Sequence, residues 1–153
     1  MRIRDRLSAA NDAVKTIRNV AYQIQTDSVD APAGFMDVAA PFSVRLHGIE
    51  SELYQVKNRS GQDPLNFPIK LNNEIAALAG TVASSNGRPT APTYAVFETL
   101  SAELDTQLAA LKTVIATDLP KLNAVLRAAG RSEIVPRAEE PPKPKKPTIT
   151  ASM

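Results

Sequence analysis

The stretch Ile3-Arg4-Asp5-Arg6-Leu7-Ser8-Ala9-Ala10-Asn11-Asp12-Ala13-Val14-Lys15-Thr16-Ile17-Arg18-Asn19-Val20-Ala21-Tyr22-Gln23-Ile24 decides the fold class. Its apolar members Ile3, Leu7, Ala10, Val14, Ile17, Ala21 and Ile24 recur at alternating steps of 4 and 3, with Arg, Asp, Lys and Gln between them. That period paints one stripe along a helix, and a strand, with its period of two, cannot use it. The spacing predicts a first helix of about seven turns.

Three more stretches carry the same signal. Asp27 to Pro41, with Asp27-Ser28-Val29-Asp30-Ala31-Pro32-Ala33-Gly34, is expected to be a loop that packs across the bundle through Val29, Phe35 and Met36. A second helix is expected from Pro41, which suits a first helical turn, along Phe42, Leu46, Ile49, Leu53 and Val56 to just before Gly61. After the turn Gly61-Gln62-Asp63-Pro64-Leu65-Asn66-Phe67-Pro68, a third helix runs from about Pro68 through Leu71, Ile75, Leu78 and Val82 to Asn86-Gly87. The linker Arg88-Pro89-Thr90-Ala91-Pro92 launches the longest element, striped by Phe97, Leu100, Leu104, Leu108, Leu111, Ile115, Leu119, Leu122 and Leu126. Pro120 removes one backbone bond there, so a kink is expected near Ala116 to Leu119, or a fresh helix capped by Asp118. The pairs Gly61/Pro64, Gly87/Pro89 and Gly130/Pro136 mark helix exits, Gly in the left-handed cap and Pro preventing resumption. The expectation is an all-α, antiparallel four-helix bundle over residues 1–131, with a Pro-kinked last helix. Residues 132–153, rich in Pro, Glu, Lys and Thr, form an extended, disordered tail, partly polyproline II.

Composition supports this. A chain of 153 residues with 43% hydrophobic content suits one domain with a real core. Few aromatics (5%, no Trp) and a Leu, Ile, Val and Ala core favour helix-on-helix packing over a sandwich. The net charge of +2 lies in the tail, where Arg137, Lys143, Lys145 and Lys146 stand against Glu139 and Glu140, leaving residues 1–135 formally neutral. Without a cationic stripe, nucleic acid is not an expected partner. Zero cysteines excludes disulfides, thiolate catalysis and zinc knuckles. No apolar run is long enough to span a membrane, and the start Met1-Arg2-Ile3-Arg4-Asp5 lacks the apolar stretch of a signal peptide, so the signal of an exported parent is expected upstream.

No constellation of catalytic groups emerges. His47, the single histidine, has Ser43, Val44, Glu50 and Ser51 at the positions a second metal ligand would need, so it is expected at the solvent-facing edge of the second helix. Glu50, Glu52, Glu74, Glu98, Glu103 and Asp105 lack the Glu-x-x-His pattern of di-iron bundles and are expected on outer faces. Ala79-Gly80 is no phosphate loop, and the serines have no base beside them. No enzyme activity, cofactor or metal is expected. Pro144-Lys145-Lys146-Pro147 matches PxxP spacing, but a solvated extension is the expected use, with weak anionic-surface contact as the lesser one. Amphipathic lipid or surface binding is the alternative function, disfavoured by the low cationic charge of the fourth helix.

Leu53-Tyr54-Gln55-Val56-Lys57-Asn58, then Gln62 through Asn73 and on to Leu78-Ala79-Gly80, together with Tyr94-Ala95-Val96-Phe97, Leu100-Ser101-Ala102-Glu103-Leu104 and Asp118-Leu119-Pro120, carry a resemblance. Over roughly residues 2–130 the chain resembles the helical C-terminal region of exported bacterial proteins built on a sortilin-like β-propeller with Asp-box repeats, often labelled glycosyl hydrolases. Asp63 to Asn73 is the most specific part. The resemblance implies an exported setting, periplasmic or extracellular, and a module that packs on something larger, a β-propeller among the options. It implies no catalysis, because no Ser-x-Asp-x-Gly-x-Thr-Trp box occurs and no catalytic residue has a counterpart here. The expected function is a non-catalytic interaction or scaffold module. Its candidate structural and interaction residues are Asp63, Pro64, Asn66, Phe67, Pro68, Asn72, Asn73 and Pro120. Asp63-Pro64 starts a turn, and Asn66 or Phe67 caps the third helix, with Pro68 in its first turn. Asn72 and Asn73 are poor interior helix residues unless they bond something, so one of them is expected to tie the preceding loop to the bundle.

Overall fold

The computed structural model describes residues 2–57 and 67–143. These form four helices and no strand: α1 (Ile3–Ser28), α2 (Phe35–Leu53), α3 (Leu71–Ser84) and α4 (Ala91–Ala128). The all-α bundle expected from the stripes is present.

In α1 the stripe is buried at Ile3, Ala10, Val14, Ile17 and Ile24, but Ala21 is exposed and Val20 takes its place. The two differ by about 100° round the helix. The buried face turns because chain from beyond α4 packs on another flank of α1, at Asn19 and Gln23.

The loop between α1 and α2 is far shorter than Asp27 to Pro41. It covers residues 29–34, and α2 starts at Phe35 after Gly34 in the left-handed region (φ +81°). Val29 and Met36 face solvent and do not pack across the bundle; Phe35 alone is buried. Phe35, Ala39, Phe42, Leu46, Ile49 and Leu53 keep helical spacing through Pro41, which sits on the exposed side within α2. Burial of that stripe outweighs the single backbone bond that Pro41 forfeits. At its other end α2 stops at Leu53, so Val56 lies outside it.

The third helix begins later than expected. Its N-cap is Lys70, which makes no side-chain capping bond, so Phe67 does not cap it and Pro68 precedes it. Gly87 does not adopt the left-handed exit conformation; among the described glycines only Gly34 and Gly130 do. Gly61 and Pro64 lie outside the described residues. At the end of α4 the expected cap is complete. Gly130 (φ +71°) donates to the Arg127 carbonyl at 3.0 Å, and Arg131 donates to that of Leu126 at 2.9 Å.

Ion pairs define the helix directions. Arg6 bonds Asp105 (2.6 Å), and at the far end Arg131 reaches the carbonyls of Asp27 and Asp30, so α1 and α4 run parallel. Arg18 with Glu50 (3.0 Å) and Arg45 with Asp118 place α2 antiparallel to both. Glu74, Leu78 and Thr81 of α3 lie beside Glu103, Leu100 and Val96 of α4, so α3 is antiparallel to α4 as well. The order is thus up, down, down, up. α2 packs on the later part of α4 and α3 on the earlier part, and the two touch little. At 38 residues, about 57 Å, α4 is the rail along which both lie.

α4 passes through Pro120 as one helix. Asp118 does not start a new one: its carboxylate is buried and bonded to Arg45. Pro120 is exposed and leaves the Ala116 carbonyl without its helical donor. Pro120→Ala is expected to raise stability by about 1–2 kcal/mol, the restored helix bond outweighing the entropy regained by the unfolded chain. Urea unfolding checks it; an unchanged or lower midpoint means that the proline relieves something in the folded helix.

Candidate interaction surface

Burial stops abruptly at one end of the bundle. In α3 the last buried residue is Ile75, and in α4 the first is Leu100. Beyond them no residue of either helix is fully buried, and Leu78, Ala79 and Phe97 are the last to pack against the core. Between Ile75 and Phe97 the sequence holds one charged residue, Arg88, and is otherwise Ala, Gly, Ser, Thr, Asn, Pro and apolar side chains. Tyr94 and Val96 are 43% and 48% exposed, and Leu78, Val82 and Phe97 are half-buried. Apolar side chains accumulate here without the charges that usually solvate a helix face.

One flank of this hairpin is hollowed. Ile69, Ala77, Leu78, Val96 and Leu100 line an open groove of about 550 Å³, edged by Thr81, Glu74 and Glu103. Glu74 and Glu103 also border a neighbouring hollow of about 400 Å³, which Glu52, Lys70, Thr106 and Gln107 extend towards the end of α2. Helical geometry explains the alignment: Val96, Leu100, Glu103 and Gln107 step by 4, 3 and 4 along α4, while Glu74, Leu78 and Thr81 do the same along α3.

The residues singled out from sequence do not gather in one place. Asp63, Pro64 and Asn66 lie outside the described residues. Phe67 is half-buried under the Lys57 ammonium, 5.5 Å from its ring, and the Pro68 carbonyl accepts a bond from Gln55 (2.9 Å). Asn72 is buried and donates to the Asn11 side chain at 2.6 Å, so it ties the first turn of α3 to α1. Asn73 beside it is half-buried, and Pro120 stands far away on α4. Asn72→Ala is expected to cost about 1 kcal/mol, because exposed Asn11 can turn to water once its partner is gone. A fall of about 2–3 °C in melting temperature is the readout, and no fall means that the bond contributes nothing.

His47 faces solvent, 3.9 Å from Glu50, whose carboxylate is held by Arg18. Among the described residues no three His, Cys, Asp or Glu side chains come together as metal ligands, and no helix is long and apolar enough to cross a membrane.

Sequence reasoning missed the most ordered polar feature. The chain beyond Arg131 holds neither helix nor strand through residue 143, and its first residues do not float in solvent. Ile134 is 2% exposed. Asn123 donates to its carbonyl (3.0 Å) and accepts from its N–H (2.8 Å). Gln23 does the same for Val135, at 2.9 and 3.4 Å, while also donating to Asn19. The signal was available: Asn19 and Asn123 are poor helix formers in mid-helix, and each is there for a bond.

Comparisons with family models, with curated proteins and with solved structures return no match for this chain.

Proposed function

We propose that this chain is a non-catalytic helical interaction module that packs on a larger protein or assembly through the charge-poor end of its α3–α4 hairpin. The supporting observation is the joint loss of burial after Ile75 and before Leu100, in a stretch that carries one charge and leaves Tyr94 and Val96 open to solvent. Interface cores are depleted of charge and enriched in aromatic and apolar residues, whereas ordinary solvated helix faces are not. The resemblance to the helical region of Asp-box propeller proteins suggests the partner, a β-propeller in the same or a separate chain, and an exported setting.

The test is made in the source organism. Tagged wild-type protein, gently extracted, is expected to elute in an assembly well above its own 16.4 kDa. A Leu78→Asp, Val96→Asp variant of unchanged helicity is expected to elute free. Free elution of the wild type, or full retention of the variant, overturns the proposal.

A further inference from the structure

Resting on that reading, we infer that the groove along α3 and α4 receives an amphipathic helix from a partner protein, with apolar anchors at one end and Lys or Arg at the other. The groove is divided by chemistry. Towards the hairpin turn it is floored by Ala77, Leu78 and Val96; towards α2 it passes between Glu74 and Glu103 into the hollow bordered by Glu52. Three carboxylates face one ammonium there, that of Lys70, so the field at this end is negative. From Val96 to Gln107 the run is about 16 Å, three turns of helix. Such an occupant uses anchors at i, i+4 and i+7, one side chain per turn, and its cations follow one turn further on.

Charge selects this occupant over the others. A second copy docked groove to groove would set Glu74 and Glu103 against their own equivalents or, in the opposite sense, against the apolar floor of Ala77, Leu78 and Val96, and neither gives them a cation. This chain's own basic tail, with Pro141, Pro142, Pro144 and Pro147 among its lysines, cannot supply a helix. An anionic lipid surface would meet the same carboxylates. A basic amphipathic helix satisfies both halves, and the division fixes which way it points.

The experiment uses two labelled synthetic peptides with the same Leu ridge on an Ala background. One carries Lys and Arg a turn beyond the ridge, the other Glu at those positions. Fluorescence anisotropy with the full chain is expected to show binding of the cationic peptide only, weakening as salt rises. Glu74→Gln with Glu103→Gln is expected to weaken it about three- to tenfold, exposed ion pairs being modest individually. Val96→Gln is expected to weaken binding by a similar factor at every salt concentration, since it removes apolar contact and no charge. Equal binding of the two peptides, no binding of either, or indifference to the glutamine pair overturns the basic-helix assignment. Release of the cellular assembly by Leu78→Asp, Val96→Asp would then still support docking at the hairpin, so the two proposals fail separately.

Discussion

Asn123→Ala is expected to lower stability by about 3 kcal/mol, a large loss for one side chain on a helix surface. The amide of Asn123 makes both main-chain bonds of Ile134 (2.8 and 3.0 Å), and Asn123 is itself 9% exposed. Removing it leaves a buried N–H and a buried carbonyl unpaired, at about 1–3 kcal/mol each. The chain has an escape: residues 131–136 can lift off, exposing Ile134 and breaking the bonds of Val135 to Gln23. The ceiling on the loss is therefore whatever the docked segment contributes in total. Two measurements separate the cases. If the segment lifts, Asn123→Ala and truncation after Gly130 have similar unfolding free energies and do not add when combined. Limited proteolysis should then cut near Val135 in the variant and spare the wild type. Additive losses would show that Asn123 acts on something besides the segment.

Phe42→Ala should cost about 4 kcal/mol, within the range for emptying a fully buried phenyl site. Phe42 has no exposed surface, and neither does Phe35 a heptad earlier on α2. α2 lies against α1 and α4, and the Arg45–Asp118 pair fixes its position one turn further along. With both flanking helices pinned in this way, the cavity cannot close by sliding α2, and most of the lost packing stays lost. Thermal unfolding should move down by roughly 8–15 °C for a domain of this size. Phe42→Leu should recover more than half of that. A drop below about 4 °C would mean that the core around α2 is looser than its burial implies.

Much of the architecture could be read from the sequence because it rests on apolar spacing. The stripes of α1 and α4 stand almost as written, since a 3.6-residue period over five or more turns has no competing interpretation. The start of α2 was misplaced for a physical reason. Pro41 is chemically suited to a first turn, yet Phe35 and Ala39 continue the stripe upstream, and on an exposed face one missing N–H costs less than two buried side chains contribute. The direction of α3 could not be read at all: a connection as long as residues 54–70 permits either sense, and only the pairing of Glu74 to Thr81 with Val96 to Glu103 decides it. The proposed interaction surface was legible as composition, a single charge between Ile75 and Phe97, but not as a surface. Its exposure depends on how far the core extends along α3 and α4, which is tertiary information. The docking of Ile134 leaves no periodic trace, because Asn and Gln side chains make its bonds to main chain; its one mark in the sequence is the pair of mid-helix asparagines, Asn19 and Asn123.

Because α4 is shared by two companions that follow one another along it, protection against solvent should not be uniform over its length. Amides from Leu104 to Leu126, under α1 and α2, should exchange with deuterium only when the whole molecule opens. Those from Tyr94 to Thr99, where no residue is fully buried, should exchange through fraying that leaves the rest intact. One helix would thus report two opening free energies, and whatever seats itself on the hairpin would slow the faster class alone.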